Sequence, residues 1–293
     1  MRVSFAHGYH APLPDGHIFP MGKFVGLYHY VQEKGIIPGS HIVAPKMADM
    51  TQLLTVHSQR YVNAVVEGTL DRSEIRRLGL PWSEPLAIRS RMAVQGTVNA
   101  ALMALQDGIA GNLAGGTHHA MADHGEGFCV FNDVAVAIRV LKQSMWVRRV
   151  LVIDLDVHQG NGTAEIFRDD PDVFTLSIHG KKNYPFHKPP SSLDVGLPDR
   201  TGDRAYLRIL EEVLDQVFHR FQPDLIFYLG GIDPLKEDYF GRLSLTTDGL
   251  MKRDRTVIET VAGRNIPLVL LLSGGYAPSL QETVEAHALM FRA

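Results

Sequence analysis

Short apolar runs rich in β-branched residues alternate along the whole chain with longer segments of helical periodicity, and this alternation constrains the fold more than any other feature. Strands that alternate with helices favour an α/β fold with a mostly parallel central sheet and helices on both faces. No linker or low-complexity stretch divides the sequence, so we predict a single domain over residues 1–293. The predicted strands are residues 2–6, 41–44, 150–157, 173–178, 225–229 and 268–273. The predicted helices are residues 85–106, 132–143, 203–221, 247–262 and 278–291.

The composition limits the compartment and the partners of the protein. The 293 residues carry a formal net charge of −3 and include no Lys/Arg block, so we expect neither a nucleic-acid nor a membrane partner. The single cysteine, Cys129, excludes an internal disulfide and fits a reducing compartment. The N-terminus lacks the apolar core of a signal peptide, and the longest apolar runs are too short to span a bilayer. We therefore expect a soluble, cytoplasmic protein.

Polar residues cluster just after three predicted strands, which is where parallel sheets bind ligands. Asp154, Asp156 and His158 end the strand at 150–157, and alternation along a strand would point all three to one face. A cation would offset the cost of burying them, and their oxygen and nitrogen atoms suit Zn²⁺, Fe²⁺, Co²⁺ or Mn²⁺. Asp233, after the strand at 225–229, is the best candidate for a third protein ligand. The alternatives are a buried carboxylate network and, for Asp233, a turn or helix cap.

Two histidines follow a glycine pair at residues 115–119 and are candidates for acid–base chemistry. One of His118 and His119 can act as general base on a water molecule and then as acid to a leaving amine. Asp154 and Asn161 are available to accept a hydrogen bond from the far nitrogen of each ring. The alternatives are that the pair lies on the surface or binds the metal itself.

Two aromatic residues in glycine-rich loops complete the candidate site. Tyr276 follows Gly-Gly at the end of the strand at 268–273, and its phenol could donate a hydrogen bond to an oxyanion. Phe128, after Gly127, could form the wall of an apolar slot. For either residue the alternative is simple packing. Cys129 is a poor candidate for a nucleophile, since its apolar context favours an inert thiol.

Five motifs in order along the chain resemble the histone deacetylase family, which has the arginase-like α/β fold. The motifs are Gly-Thr-His-His-Ala at 116–120, Gly-Phe-Cys-Val-Phe-Asn-Asp at 127–133, Asp-Leu-Asp-Val-His-Gln-Gly-Asn-Gly at 154–162, Gly-Gly-Ile-Asp-Pro-Leu at 230–235 and Ser-Gly-Gly-Tyr at 273–276. The resemblance covers nearly the whole chain. With Ser-Ile-His-Gly-Lys-Lys-Asn-Tyr-Pro-Phe at 177–186, the chain looks most like the class IV group and its bacterial relatives.

The resemblance implies a role for each matching position. Asp156, His158 and Asp233 match the family's zinc ligands. His119 matches the general base and acid, His118 its electrostatic partner, Asp154 the carboxylate behind the first histidine, and Tyr276 the tyrosine that polarises the substrate carbonyl. A potassium ion is implied beside Asp154, Ser177, Ile178 and the backbone of Asp156 and His158. Gly127 and Phe128 match one wall of the acyl-lysine tunnel, and Tyr184 or Phe186 is expected to supply the other.

One position departs from part of the family. Asn161 stands where some members carry an aspartate behind the second histidine. An amide accepts a hydrogen bond without a full charge, so we expect a lower pKa for His119 than an aspartate partner would give.

The resemblance predicts a zinc-dependent hydrolase that removes acetyl or longer acyl groups from lysine side chains in proteins or peptides. A first alternative is a deacetylase of small acylated amines such as acetylpolyamines. Loops near Asp15, His17, Glu84 and Asp123 could serve either substrate, and an acidic rim would favour polyamines. A second alternative is an arginase-like enzyme with two manganese ions, which would require more carboxylates. A third is a binding module without catalysis.

Overall fold

Eight parallel strands form one sheet in the computed structural model, which describes all residues from 1 to 293. The strands are β1 (Arg2–Ser4), β2 (Ile42–Val43), β3 (Ile109–Asn112), β4 (Val150–Asp154), β5 (Val173–Gly180), β6 (Leu193–Leu197), β7 (Leu225–Leu229) and β8 (Leu268–Leu271). Their order across the sheet is β2-β1-β3-β8-β7-β4-β5-β6. The predicted α/β class is therefore confirmed, and the sheet is parallel throughout rather than mostly so.

Ten α-helices connect and cover the strands. They are α1 (Lys23–Glu33), α2 (Met50–Leu53), α3 (Gln59–Glu67), α4 (Arg72–Leu78), α5 (Glu84–Asp107), α6 (Asp133–Gln143), α7 (Asn161–Ile166), α8 (Asp203–Arg220), α9 (Thr247–Ala262) and α10 (Leu280–Leu289). Polar side chains cap several of them, as when Asn132 accepts a hydrogen bond from the backbone N–H of Ala135 at the start of α6. None of the helices combines the length and the apolar character that crossing a bilayer demands.

The two faces of the sheet bury different side chains of the same strands. On one face Val150, Val152 and Phe227 pack with α5 and α6. On the other face Leu151 and Ile153 pack with the buried sides of α8, α9 and α10. Burying each such side chain contributes about 1.5–3 kcal/mol, so the central strands are the most firmly held part of the molecule.

All six predicted strands are present, but the prediction missed two further strands, and the bounds of β1, β2, β4, β5 and β8 differ from those predicted by one to three residues. The prediction missed β3, whose four residues include Gly111 and Asn112, and β6, an edge strand whose first four residues alternate between half-buried and exposed. β4 ends at Asp154 and not at residue 157. There the side chain of Asp154 accepts the backbone N–H of Asp156, and that of Asp156 accepts the N–H of His158. Two successive aspartate turns thus replace the end of the predicted strand.

Five predicted helices are also present, with ends shifted by two residues at most, and the prediction missed five others, namely α1, α2, α3, α4 and α7. Four of the five missed helices have between four and nine residues, too few for a clear apolar period.

Candidate active site

The candidate site lies at the carboxyl ends of three adjacent central strands. In the sheet register Asp154 of β4 pairs with Leu229 of β7, which pairs with Leu271 of β8, so the three strands end level with one another. The loops that follow bring residues 154–158, 230–233 and 273–276 to one edge. This is the edge at which open parallel sheets bind ligands, as the sequence predicted.

Asp156, His158 and Asp233 come together in a buried cluster. Their candidate ligand atoms all lie within 4.8 Å of one another. Nδ1 of His158 lies 3.0 Å from Oδ1 of Asp156 and 3.2 Å from Oδ2 of Asp233. The aspartate turns after β4, and not the alternation of a continuing strand, bring Asp156 and His158 to the same side.

The hydrogen bonds of this cluster leave one carboxylate oxygen available. Asp233 is fully buried, and its Oδ1 accepts the backbone N–H of Val157 at 2.8 Å, whereas its Oδ2 accepts no hydrogen bond. Burial and the nearby Asp156 carboxylate raise the pKa of Asp233 to about 7. A buried carboxylate oxygen without a donor is costly, and a cation would remove that cost. Two carboxylates and one imidazole suit a divalent metal ion and leave room for further ligands, so the residues fit such an ion.

The histidine pair lies next to this cluster, and each ring has its own partner. Nδ1 of His118 lies 2.6 Å from Oδ2 of Asp154, and Nδ1 of His119 lies 2.6 Å from Oδ1 of Asn161. The ring centroids of the two histidines are 4.1 Å apart. The structure thus places the predicted acceptors behind the predicted histidines.

The two imidazoles differ in charge because their surroundings differ. Burial lowers the pKa of His118, but the carboxylates of Asp154 and Asp156 outweigh burial and raise it to about 9. Burial holds the pKa of His119 well below its usual value, and the positive charges of His118 and His158 lower it further. Burial, and not the choice of asparagine at position 161, is therefore the main cause of the low pKa. His119 is neutral at neutral pH and is able to accept a proton.

A glycine turn presents the histidine pair. Gly115 and Gly116 have φ values of +81° and +78°, which glycine adopts without strain. A Cβ atom on Gly115 would lie 2.7 Å from Oδ2 of Asp133, so no side chain fits there. Asp133, at the start of α6, accepts the backbone N–H groups of Gly116 and Thr117 at 3.1 and 2.7 Å. The turn is therefore fixed to a helix end rather than free to move.

Tyr276 faces the same space from the loop after β8. Its backbone N–H donates to Oδ2 of Asp238 at 2.6 Å, and its ring meets that of Phe240 edge-on with centroids 4.8 Å apart. Burial raises the pKa of the phenol well above its usual value. Tyr276 therefore keeps its proton and can donate a hydrogen bond.

A cavity of about 290 Å³ leads from the surface to these residues. Phe128 and Tyr184 line it, and the Tyr184 ring meets the His119 ring edge-on at 5.0 Å between centroids. Gly127 also lines the cavity. A Cβ atom at this position would lie 2.6 Å from the His119 ring, so a larger residue does not fit there. Phe186, the other candidate for the second wall, is 96% exposed and does not line the cavity. Pro185, between the half-buried Tyr184 and the exposed Phe186, is buried instead, which corrects the expectation for Phe186.

Comparison of the chain with known proteins identifies its family. The family model of the histone deacetylase domain matches residues 17–291. The chain belongs to the histone deacetylase family. An uncharacterized protein of Picosynechococcus sp. is 43% identical over 99% of this chain and 97% of its own. Histone deacetylase 2 of Arabidopsis thaliana is 35% identical over 90% of this chain and 70% of its own.

Solved structures of the histone deacetylase family share the fold. A crystal structure of an HDAC homologue complexed with SAHA superposes with a TM-score of 0.81 and 26% identity, covering 99% of this chain and 84% of that one. The similarity to the family therefore spans the sheet, its helices and the loops that carry the site.

The potassium ligands implied by the family lie on neighbouring strands. Asp154 of β4 pairs in register with Ser177 of β5, and Ile178 follows Ser177. Oγ of Ser177 lies 3.0 Å from Nδ1 of His179, and Oδ1 of Asp154 accepts the N–H of Asp156 at 3.2 Å. A potassium ion at this position stays a prediction.

Three charged residues that the sequence analysis passed over also face the site. Lys23 of α1 and Arg89 of α5 are buried and line a small cavity of about 50 Å³ that continues inward past Tyr276. Nζ of Lys23 donates to the carbonyl of Ser273 at 3.1 Å. Arg77, at the exposed end of α4, lines the outer cavity. Single charged residues on helices carry no sequence signal that separates them from ordinary surface charges.

Proposed function

We propose that the protein is a zinc-dependent hydrolase that removes acetyl or longer acyl groups from lysine side chains. Membership of the histone deacetylase family supports a deacetylase. The observation that carries the proposal is the buried cluster of Asp156, His158 and Asp233, with one carboxylate oxygen lacking a donor, beside the neutral His119 and the protonated Tyr276.

Asp156, His158 and Asp233 would hold the metal ion. When bound, a divalent ion such as zinc supplies Lewis-acid chemistry, which polarises an amide carbonyl and makes a water molecule more acidic. Ser273 Oγ and the backbone N–H of Gly274 both donate to Oδ2 of Asp156 at 2.7 Å, so that oxygen is already oriented. Such outer contacts hold ligands in place.

The neighbouring side chains provide the proton transfers. His119 takes a proton from the attacking water and returns it to the departing lysine amine. Tyr276 donates a hydrogen bond to the oxygen that becomes negative as the carbonyl carbon turns tetrahedral. His118 keeps its positive charge through its ion pair with Asp154 and adds to the positive field around that oxygen.

The lining of the outer cavity favours an acyl-lysine over an acylated polyamine. Phe128, Tyr184 and Phe240 give it aromatic walls, and its ten lining residues include no aspartate or glutamate. Arg77 is the charged residue at this entrance. A polyamine keeps further ammonium groups after acylation, and these would be repelled by the arginine, whereas an acylated lysine side chain is neutral.

The test is a panel of acyl-lysine peptides, from acetyl to long fatty acyl, run beside acetylpolyamines, together with elemental analysis of the purified protein. We expect turnover of one or more peptides and a stoichiometric content of zinc. Asp156→Ala should lose the metal and the activity. Tyr276→Phe should keep the metal and lower kcat by about 100-fold or more, as loss of an oxyanion donor does. Faster turnover of acetylpolyamines would reassign the substrate class, and an inactive but zinc-loaded protein would contradict the proposal.

A further inference from the structure

A carboxylate outside the five family motifs stands directly behind the proposed general base. Oδ1 of Asn161 lies 2.6 Å from Nδ1 of His119, and Nδ2 of Asn161 donates to Oε1 of Glu126 at 2.5 Å. The three side chains therefore form one hydrogen-bonded chain from the catalytic site to Glu126. The side chain of Glu126 is only 13% exposed.

The carboxylate of Glu126 determines the direction of both hydrogen bonds between His119, Asn161 and Glu126. An ionised carboxylate only accepts hydrogen bonds, so the amide of Asn161 must turn its NH₂ toward Glu126. The amide oxygen then faces His119, and the hydrogen of that bond must come from Nδ1 of the imidazole. Nε2 is left without a hydrogen, which is the form that a general base requires.

We propose that Glu126 is a positioning residue that fixes the amide orientation of Asn161 and, through it, the catalytic tautomer of His119. The inference rests on the proposed function, in which His119 is the general base. It also explains how an asparagine serves where some family members carry an aspartate: the negative charge is supplied one residue further out.

The surroundings of Glu126 keep it ionised and in place. Burial raises its pKa, but hydrogen bonds from His124, Asn161 and Tyr184 outweigh burial and lower the pKa to about 2. Nε2 of His124 lies 3.5 Å from Oε2 of Glu126. The phenol of Tyr184, a residue that lines the outer cavity, also helps to lower the pKa of this carboxylate.

A four-residue turn fixes the backbone of Glu126. The N–H of Cys129 donates to the carbonyl of Glu126 at 2.9 Å, and the two residues between them, Gly127 and Phe128, have φ values of +56° and +65°. Positive φ at both central positions is the signature of a type I′ turn. The turn places Glu126 beside Asn161 and Phe128 in the cavity wall, so the position of the carboxylate is set by the architecture of the site.

Two variants separate the orienting role from simple loss of a contact. In Glu126→Gln the new amide can accept or donate, so Asn161 is free to turn over. In the double variant Glu126→Gln/Asn161→Asp, the carboxylate at position 161 accepts from both neighbours and again requires a hydrogen on Nδ1 of His119. Glu165→Gln is the matched control, because Glu165 is exposed on α7, the helix that carries Asn161, and pairs with Arg168.

We expect Glu126→Gln to lower kcat by about 10–100-fold while the protein stays folded and its zinc content stays unchanged, as loss of an outer hydrogen-bond partner typically does. The double variant should recover most of the lost kcat, and Glu165→Gln should match the parent protein. Unchanged kcat in Glu126→Gln, or a double variant no better than the single one, would overturn the proposal.

A second readout is independent of turnover. Long-range ¹H–¹⁵N correlation spectra, with His119→Ala for assignment, report which imidazole nitrogen carries the hydrogen. The Nδ1–H form should dominate in the parent protein and the double variant, and a mixture should appear in Glu126→Gln. If Glu126→Gln keeps the parent tautomer, the proposal fails even where kcat falls. If the parent protein turns over no acylated amine, the proposed function fails while the spectra still decide the tautomer.

Discussion

His57 shows what a single buried residue contributes to the support of the site. It is 2% exposed, its Nδ1 lies 3.0 Å from the carbonyl of Met121, and its Nε2 accepts the backbone N–H of Asn132 at 3.0 Å. Met121 follows the histidine pair and Asn132 caps α6, so His57 joins the loop of the proposed general base to helix α6. Both bonds require the neutral imidazole with its hydrogen on Nδ1.

This arrangement predicts a pH dependence of stability. Burial lowers the pKa of His57 to about 4, from about 6.5 in the unfolded chain. Between these values the unfolded chain binds the extra proton, so the free energy of unfolding falls as the pH falls from 6.5 toward 4. The loss amounts to about 3 kcal/mol in total. In His57→Gln, whose amide can make both bonds, urea denaturation across this pH range should show a shallower decline; an identical decline would contradict the neutral, buried role.

At the residue scale, the sequence revealed the groups that lie in distinctive patterns. Asp156, His158 and Asp233 follow central strands, and the histidine pair follows two glycines, so their convergence could be predicted. Lys23 and Glu126 could not, because an isolated charge looks the same whether it is exposed or buried. Of the two candidates for the second wall, Tyr184 lines the cavity and Phe186 does not, because the buried Pro185 between them leaves Phe186 on the exposed side of the loop.

At the scale of elements, α9 is tied to the two strand ends that carry the metal-site carboxylates. Arg253 of α9 is fully buried, and its guanidinium donates to the carbonyl of Gly231 at 2.6 Å and to that of Gly230 at 3.3 Å after β7. It also reaches the carbonyl of Leu155 after β4 at 3.4 Å and pairs with Asp254 at 2.7 Å. One side chain thus satisfies backbone groups that the ends of two strands leave unpaired.

Arg253→Met should destabilise the fold and loosen the site together. Removal of the cation leaves Asp254 buried without its partner, which costs about 3–5 kcal/mol. Chemical denaturation should show this loss, and calorimetry should show weaker zinc binding, since the loops before Asp156 and Asp233 lose their common support. Arg255→Met, two residues away on the exposed side of α9, is the control and should change neither quantity. Equal stability of the two variants would contradict the role of Arg253.

The elements themselves could be predicted where their patterns are long or strongly apolar. Residues 225–229 and 247–262 were predicted with the bounds that the structure shows for β7 and α9. β3 and β6 were not predicted. β3 contains glycine and asparagine, which weaken its apolar pattern, and alternate residues of β6 are exposed to solvent. Their place in the sheet comes from pairing with β1, β8 and β5, which is tertiary information.

At the scale of the whole molecule, metal binding should be coupled to protonation and to stability. In the metal-free protein, burial lowers the pKa of His158, but Asp156 and Asp233 outweigh burial and raise it to about 10. At neutral pH the cluster therefore holds a proton that an ion must displace, because a ligand imidazole has to be neutral.

We expect zinc binding to release protons and to tighten as the pH rises toward the pKa of His158. Calorimetric titrations in two buffers with different heats of ionisation will measure the proton count. Because the ion binds only the folded chain, zinc at 100 times its Kd should raise the free energy of unfolding by about 2.7 kcal/mol. Asp156→Ala is the control and should show neither effect. Binding without proton release, equally strong at all pH values, would contradict the coupling.

The type I′ turn at residues 126–129 joins two properties that an enzyme could otherwise adjust separately. Phe128 lines the cavity that the proposed function assigns to the acyl chain, and Glu126, two positions earlier, is the residue that we propose orients the general base. A substitution that widened the entrance by moving this turn would also shift the orientation of the base. On the proposed function, the turn therefore links acyl selectivity to turnover through the geometry of one short segment.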